Sequence, residues 1–128
     1  MKKYLTVALL VLVSTATFAA AQVSPTSVIA DVPFAFFVGT KSFPAGMYQF
    51  KPSDSLGEIT VNEMKGTGSA LAAVTTRLSP RSETDAMVVF DVAGTNHYLS
   101  EIYVPGLDGF QVKGAPGKHT HMSVKGRK

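Results

Sequence analysis

His119 and His121 are the residues of this chain whose spacing points most directly to chemistry. Two positions apart in an extended segment, both imidazoles face one side, as ligation of a metal ion requires. A closed site needs a third or fourth ligand, for which His97, Asp108 or a second chain are the candidates. Two histidines in a polar, basic chain end are more commonly just solvated. The expectation is therefore no resident metal and no cofactor, with His119 and His121 as weak candidates that carry adventitious affinity for Zn²⁺, Cu²⁺ or Ni²⁺.

Other sets of residues fall short of a reaction. Asp91, His97 and Ser100 have the residue types of a nucleophilic triad. Ser100 lacks the Gly-x-Ser-x-Gly elbow that lifts a nucleophile out of a turn, and His97 is expected on the opposite side of its strand. Glu83 and Asp85 lie in a polar interval, without the desolvation that makes a carboxyl a general acid. Glu101, flanked by Leu99 and Tyr103 on one strand face, reads as an ion-paired or sheet-surface carboxylate. Gly114 to Thr120 (GAPGKHT) superficially resembles a phosphate-cradling loop, but Val112 stands where that pattern needs glycine and His119 where it needs Ser or Thr, and no helix follows. No catalytic residue is assigned and the chain is expected not to be an enzyme.

The elements that position these groups read as strands. Residues 29–50 form two apolar strands joined by a tight glycine-bearing turn, with the neighbouring segments laid beside them. Val28, Ala30, Val32, Phe34, Phe36 and Val38 share one parity and are all apolar, as a core-facing side should be. Pro33 has no amide hydrogen for a ladder and marks an edge or bulge, and Gly39-Thr40-Lys41 supplies the turn. Phe43-Pro44-Ala45-Gly46 turns or bulges the chain again. Further strands are expected at 47–50, 56–64, 69–76, 86–90, 97–104 and 110–112, with the longest polar interval at 77–85 a surface loop. Alternation within 97–104 places Tyr98, Ser100, Ile102 and Val104 opposite His97, Leu99, Glu101 and Tyr103. With no convincing helix after residue 21, the expected class is all-β: a single antiparallel β-sandwich or small β-barrel of about seven short strands. In a barrel, Phe34, Phe36, Phe50, Phe90, Tyr98 and Tyr103 could line the interior, which makes a carrier of an apolar ligand or lipid the alternative to a binding or structural module.

The chain ends carry a different message. Met1-Lys2-Lys3, the apolar run Leu5 to Val13 and Ala19-Ala20-Ala21 have the form of a helical signal peptide over 1–21, cleaved before Gln22. The apolar core is too short to span a membrane, so no transmembrane segment is expected after cleavage and the product is periplasmic or secreted. A short lead at 22–27, a β domain at 28–112 and a basic flexible tail at 113–128 complete the organisation. There is no cysteine, so strand pairing and burial must hold the fold without a disulfide. Loss of Lys2 and Lys3 lowers the formal charge from +3 to +1 and leaves an acidic body with a basic end. Lys113, Lys118, Lys125, Arg127 and Lys128 in that tail could contact an anionic surface, an acidic glycan or an envelope protein. Nucleic acid is disfavoured by the compartment and by the lack of interleaved aromatics.

Val32-Pro33-Phe34-Ala35-Phe36, Val38-Gly39, Phe43-Pro44-Ala45-Gly46 and Tyr48 together resemble the opening of a group of small exported proteins abundant in Acidobacteria, with a "VPF.F.VG…lPAG.Y" start. Val89-Phe90, Tyr98-Leu99-Ser100-Glu101-Ile102 and Pro105-Gly106 are similar to that group's later "L.F…yfLs.i" block. The likeness spans most of residues 28–112 and departs at the C-terminus, where members often end in acidic residues and this chain carries Lys and His. That group has no established activity, so the resemblance implies export and a β fold.

Overall fold

The computed structural model of the chain describes residues 27–80 and 86–127. The expected signal peptide at 1–21, residues 22–26 of the lead, Glu83, Asp85 and Lys128 lie outside the described residues. Within them the all-β expectation holds, with ten strands and no helix, hence no helix long and apolar enough to cross a membrane. The strands are β1 (Val28–Val32), β2 (Phe36–Val38), β3 (Lys41–Phe43), β4 (Gly46–Pro52), β5 (Glu58–Glu63), β6 (Ser69–Leu78), β7 (Met87–Ala93), β8 (Asn96–Tyr103), β9 (Gly109–Val112) and β10 (Thr120–Lys125).

Ten strands replace the expected seven for identifiable reasons. The single strand expected over 28–38 is interrupted at Pro33, which lacks an amide hydrogen. β1 then pairs antiparallel with β4, whereas β2 pairs antiparallel with β3 and parallel with β8. The sheet is therefore mixed rather than purely antiparallel. Gly39, at φ 62°, makes the β2–β3 turn possible in a region that side chains disfavour. The apolar parity survives the break: Val28, Ala30, Val32, Phe36 and Val38 are buried and Phe34 is half-buried.

Residues 113–128 also need correction. Thr120–Lys125, expected within a flexible tail, form β10 and pair antiparallel with β7 from Thr120↔Val92 to Lys125↔Met87. Without β10 that edge of β7 would present unpaired amides and carbonyls beside an apolar strand, which is costly where water is excluded.

The order β1-β4-β5-β6-β9-β8 continues to β2 and β3 along one edge of β8 and to β7 and β10 along the other. Just beyond β10, the Arg127 amide donates to the Ile29 carbonyl at 2.6 Å, so the far end of the sheet meets β1. Between Val89↔Glu101 and Phe90↔Leu99 the register slips by one residue, leaving Ser100 as a β-bulge. The bulge overturns the alternation expected for β8: Leu99, Ile102 and Val104 all join the core, whereas Glu101 and Tyr98 are only half-buried.

One hydrophobic core runs through β1 to β9, with Val124 of β10 packed against it. Its centre is aromatic. Phe36 stacks on Phe43 at 5.5 Å between centroids, meets Tyr48 and Phe90 edge-on at 4.9 and 5.2 Å, and lies 6.4 Å from Phe50. Replacing Phe36 by Ala should cost about 3–5 kcal/mol, read as a lower urea midpoint with a native-like circular dichroism spectrum.

Tyr48 is fully buried and its hydroxyl donates to the Pro44 carbonyl. Burial, and then the charge of Glu63, raise its pKa above the ordinary 10.0. The folded chain keeps a proton that the unfolded chain releases, so this contribution is intact below pH 10 and falls away as the pH rises further. Urea midpoints measured from pH 9 upward should decline more shallowly in Tyr48→Phe than in the wild type.

Candidate functional site

Residues directly opposite one another in neighbouring strands project from the same face of a sheet. His121 of β10 stands opposite Asp91 of β7, Asp91 opposite Tyr98 of β8, and Tyr98 opposite Phe37 of β2. This row lies on the face away from Phe36 and Phe90. It carries the principal polar cluster and the groove described below.

Asp91 interrupts the apolar strand MVVFDVA, and its side chain is only 4% exposed. A carboxylate so removed from water needs compensating donors or cations. The Ala115 amide donates to Oδ2 at 3.0 Å. Nε2 of His119 lies 3.5 Å from Oδ2, and Nδ1 of His121 lies 2.9 Å from Oδ1. The second contact is close, yet it lacks hydrogen-bond alignment, so Oδ1 accepts no hydrogen bond among the described residues. Nδ1 of His119 is 2.8 Å from the Gly117 carbonyl, which can only accept, and so Nδ1 carries the proton of that bond. One ligand atom from each of Asp91, His119 and His121 falls within 4.8 Å of the others.

The segment before β10 wraps this carboxylate. Residues 114–120, which superficially resembled a phosphate loop, thus enclose the protein's own anion. Gly114 is required by the close approach, because a Cβ there would overlap Asp91 Oδ2 and press on Ser100 Oγ.

The spacing of His119 and His121 is realised as expected, with both imidazoles on one side. Their third partner is Asp91, not His97 or Asp108. His97 stacks on Phe34 at 3.8 Å between centroids, and Asp108 pairs with Arg77 at 3.0 Å. Asp91 and His97 are thereby turned to different partners, and no Asp91–His97–Ser100 triad is assembled. Glu101 accepts a hydrogen bond from the Tyr103 hydroxyl at 2.9 Å. Asp91 carried a readable signal that pattern reasoning passed over: a lone charge inside an apolar strand must be compensated by something.

A groove of about 370 Å³ adjoins the cluster, lined by Phe37, Gly39, Thr40, Tyr98, Lys113, Gly114 and Pro116. Phe37 and Tyr98 stack at 5.2 Å along its floor. Tyr98 therefore belongs to the outer face, not to an interior lining, while Phe36, Phe50 and Phe90 are buried against other rings. Of the expected cationic residues, Lys113 borders the groove, Arg127 pairs with Asp31 at 3.2 Å, Lys118 precedes β10 and Lys125 is its last residue.

No protein-family model, curated protein or solved structure matches this chain. Fold and site by themselves define an all-β chain with a buried carboxylate clasped by two histidines and a backbone amide, beside an aromatic groove.

Gly114→Ala should destabilise the protein by about 1–3 kcal/mol, because the loop must withdraw and leave a buried oxygen short of its donor. Hydrogen exchange should show the Ala115 amide losing protection while the β4 and β5 amides keep theirs.

Proposed function

We propose that this chain is an exported, non-catalytic module that binds an acidic glycan of the cell envelope at the groove between Phe37, Tyr98 and Lys113. The groove is the observation that carries this reading. Its volume suits a small ligand or one to two sugar units. Two stacked aromatic rings offer a platform for the apolar side of a sugar ring, and Lys113 offers a cation to a carboxylate. The signal-like residues 1–21 and the Acidobacteria-like "VPF.F.VG" opening support export. In this reading the sheet closes as a small, filled barrel, supported by the hydrogen bond from Arg127 to Ile29 and by one core shared by nine strands. Rings packed against rings make the interior a scaffold and favour the outer surface over the carrier reading.

Retention of the purified chain on isolated envelope glycan tests this directly. Tyr98→Ala and Lys113→Glu should each weaken retention about tenfold, and added salt should weaken the wild type more than Lys113→Glu. Unchanged retention in both variants would overturn the proposal. So would a lipid found by native mass spectrometry on protein purified from its own host.

A further inference from the structure

We infer that Asp91, His119 and His121 form a binding site for a divalent transition-metal ion of the zinc class. Three lines of argument converge on it, and none depends on the glycan reading.

The first is the orphaned oxygen. Asp91 Oδ1 is buried, accepts no hydrogen bond among the described residues, and faces the Nδ1 of His121 at 2.9 Å. A buried acceptor left in that condition is costly, and a cation placed between the two atoms would satisfy both. The second is the proton on His119. Its Nδ1–H is committed to the Gly117 carbonyl, so in the neutral ring Nε2 presents a lone pair toward Asp91 Oδ2 at 3.5 Å. Two lone pairs facing each other repel, whereas a metal ion accepts both. A backbone carbonyl holding the remote N–H is the arrangement that orients metal-bound histidines.

The third is size and chemistry. Ligands about 2.1 Å from a common ion stand about 3.0–3.4 Å apart in octahedral or tetrahedral geometry. The observed 2.9 and 3.5 Å run to the two different carboxylate oxygens, and one ligand atom from each residue lies within 4.8 Å of the others, so a small side-chain movement brings the three to those edges around one ion. Two imidazoles with one carboxylate suit Zn²⁺ or Cu²⁺, whereas Ca²⁺ and Mg²⁺ prefer all-oxygen shells. The His121 side chain is 60% exposed, which leaves the ion's remaining positions toward solvent. Bound there, the ion would fasten the segment ahead of β10 to β7.

Calorimetric titration of the metal-stripped full chain with Zn²⁺, and visible spectra with Co²⁺, test the site. One ion per chain, a raised Tm and the intense d–d bands of low-coordinate Co²⁺ are expected. Asp91→Asn preserves an acceptor for the Ala115 amide but removes the charge, and should weaken Zn²⁺ binding at least about tenfold. His119→Ala and His121→Ala should each do the same, without altering the Tm of the metal-free protein by more than a few degrees. Zn²⁺ affinity unchanged in Asp91→Asn would mean an adventitious surface chelate of two histidines, and would overturn the proposal. Should Asp91→Asn fail to fold, the histidine variants decide: a Zn²⁺-induced rise in Tm that survives either substitution overturns the site.

Discussion

The need to bury one side of a sheet around Phe36, without a disulfide, is the constraint on which the rest of this structure depends. Phe36 lies on β2, yet its ring meets Phe43 on β3, Tyr48 and Phe50 on β4, and Phe90 on β7. Strands far apart in the pairing order are thus drawn to one point. Aromatic side chains bury the most area per residue, and edge-on contacts add to what area alone supplies. Pro33 makes this possible by releasing the chain from β1, so that β2 can pair elsewhere while its apolar parity still faces inward.

A second constraint works against the first. Asp91 belongs to the strand that supplies Phe90, and burying its carboxylate costs several kcal/mol unless other groups compensate. Partial compensation comes from the chain's last third: the Ala115 amide donates to Oδ2, and a glycine small enough lets the backbone pass, while His119 and His121 face the two oxygens. These contacts bring the segment ahead of β10 against β7. The 113–116 segment held in this way also forms a wall of the groove beside Phe37 and Tyr98. Core, carboxylate and outer surface are therefore linked through β7 and β8.

Much of the fold was legible because burial writes a period of two into a strand. The parity of Val28 to Val38, the turn at Gly39 and the strand character of residues 86–104 all followed from that rule. It failed at Ser100, where a bulge shifts the period and brings Leu99 and Ile102 to one face. A bulge inserts one residue without a compositional mark, so alternation alone could not locate it. The candidate site was half legible. His119 and His121 were visible by spacing, but their partner lies some thirty residues away, and the contact requires β10 to add to β7.

The sequence by itself determined the all-β class, the inward parity of β1 and β2, and the absence of disulfide staples, since these follow from local side-chain chemistry. Only the tertiary structure decided that a lysine- and histidine-rich segment becomes an edge strand. It likewise decided that Asp91, rather than His97 or Asp108, faces the two histidines. Both outcomes are long-range. They turn on which strand edge is open and which buried charge lacks a partner, and neither quantity exists until the sheet has formed.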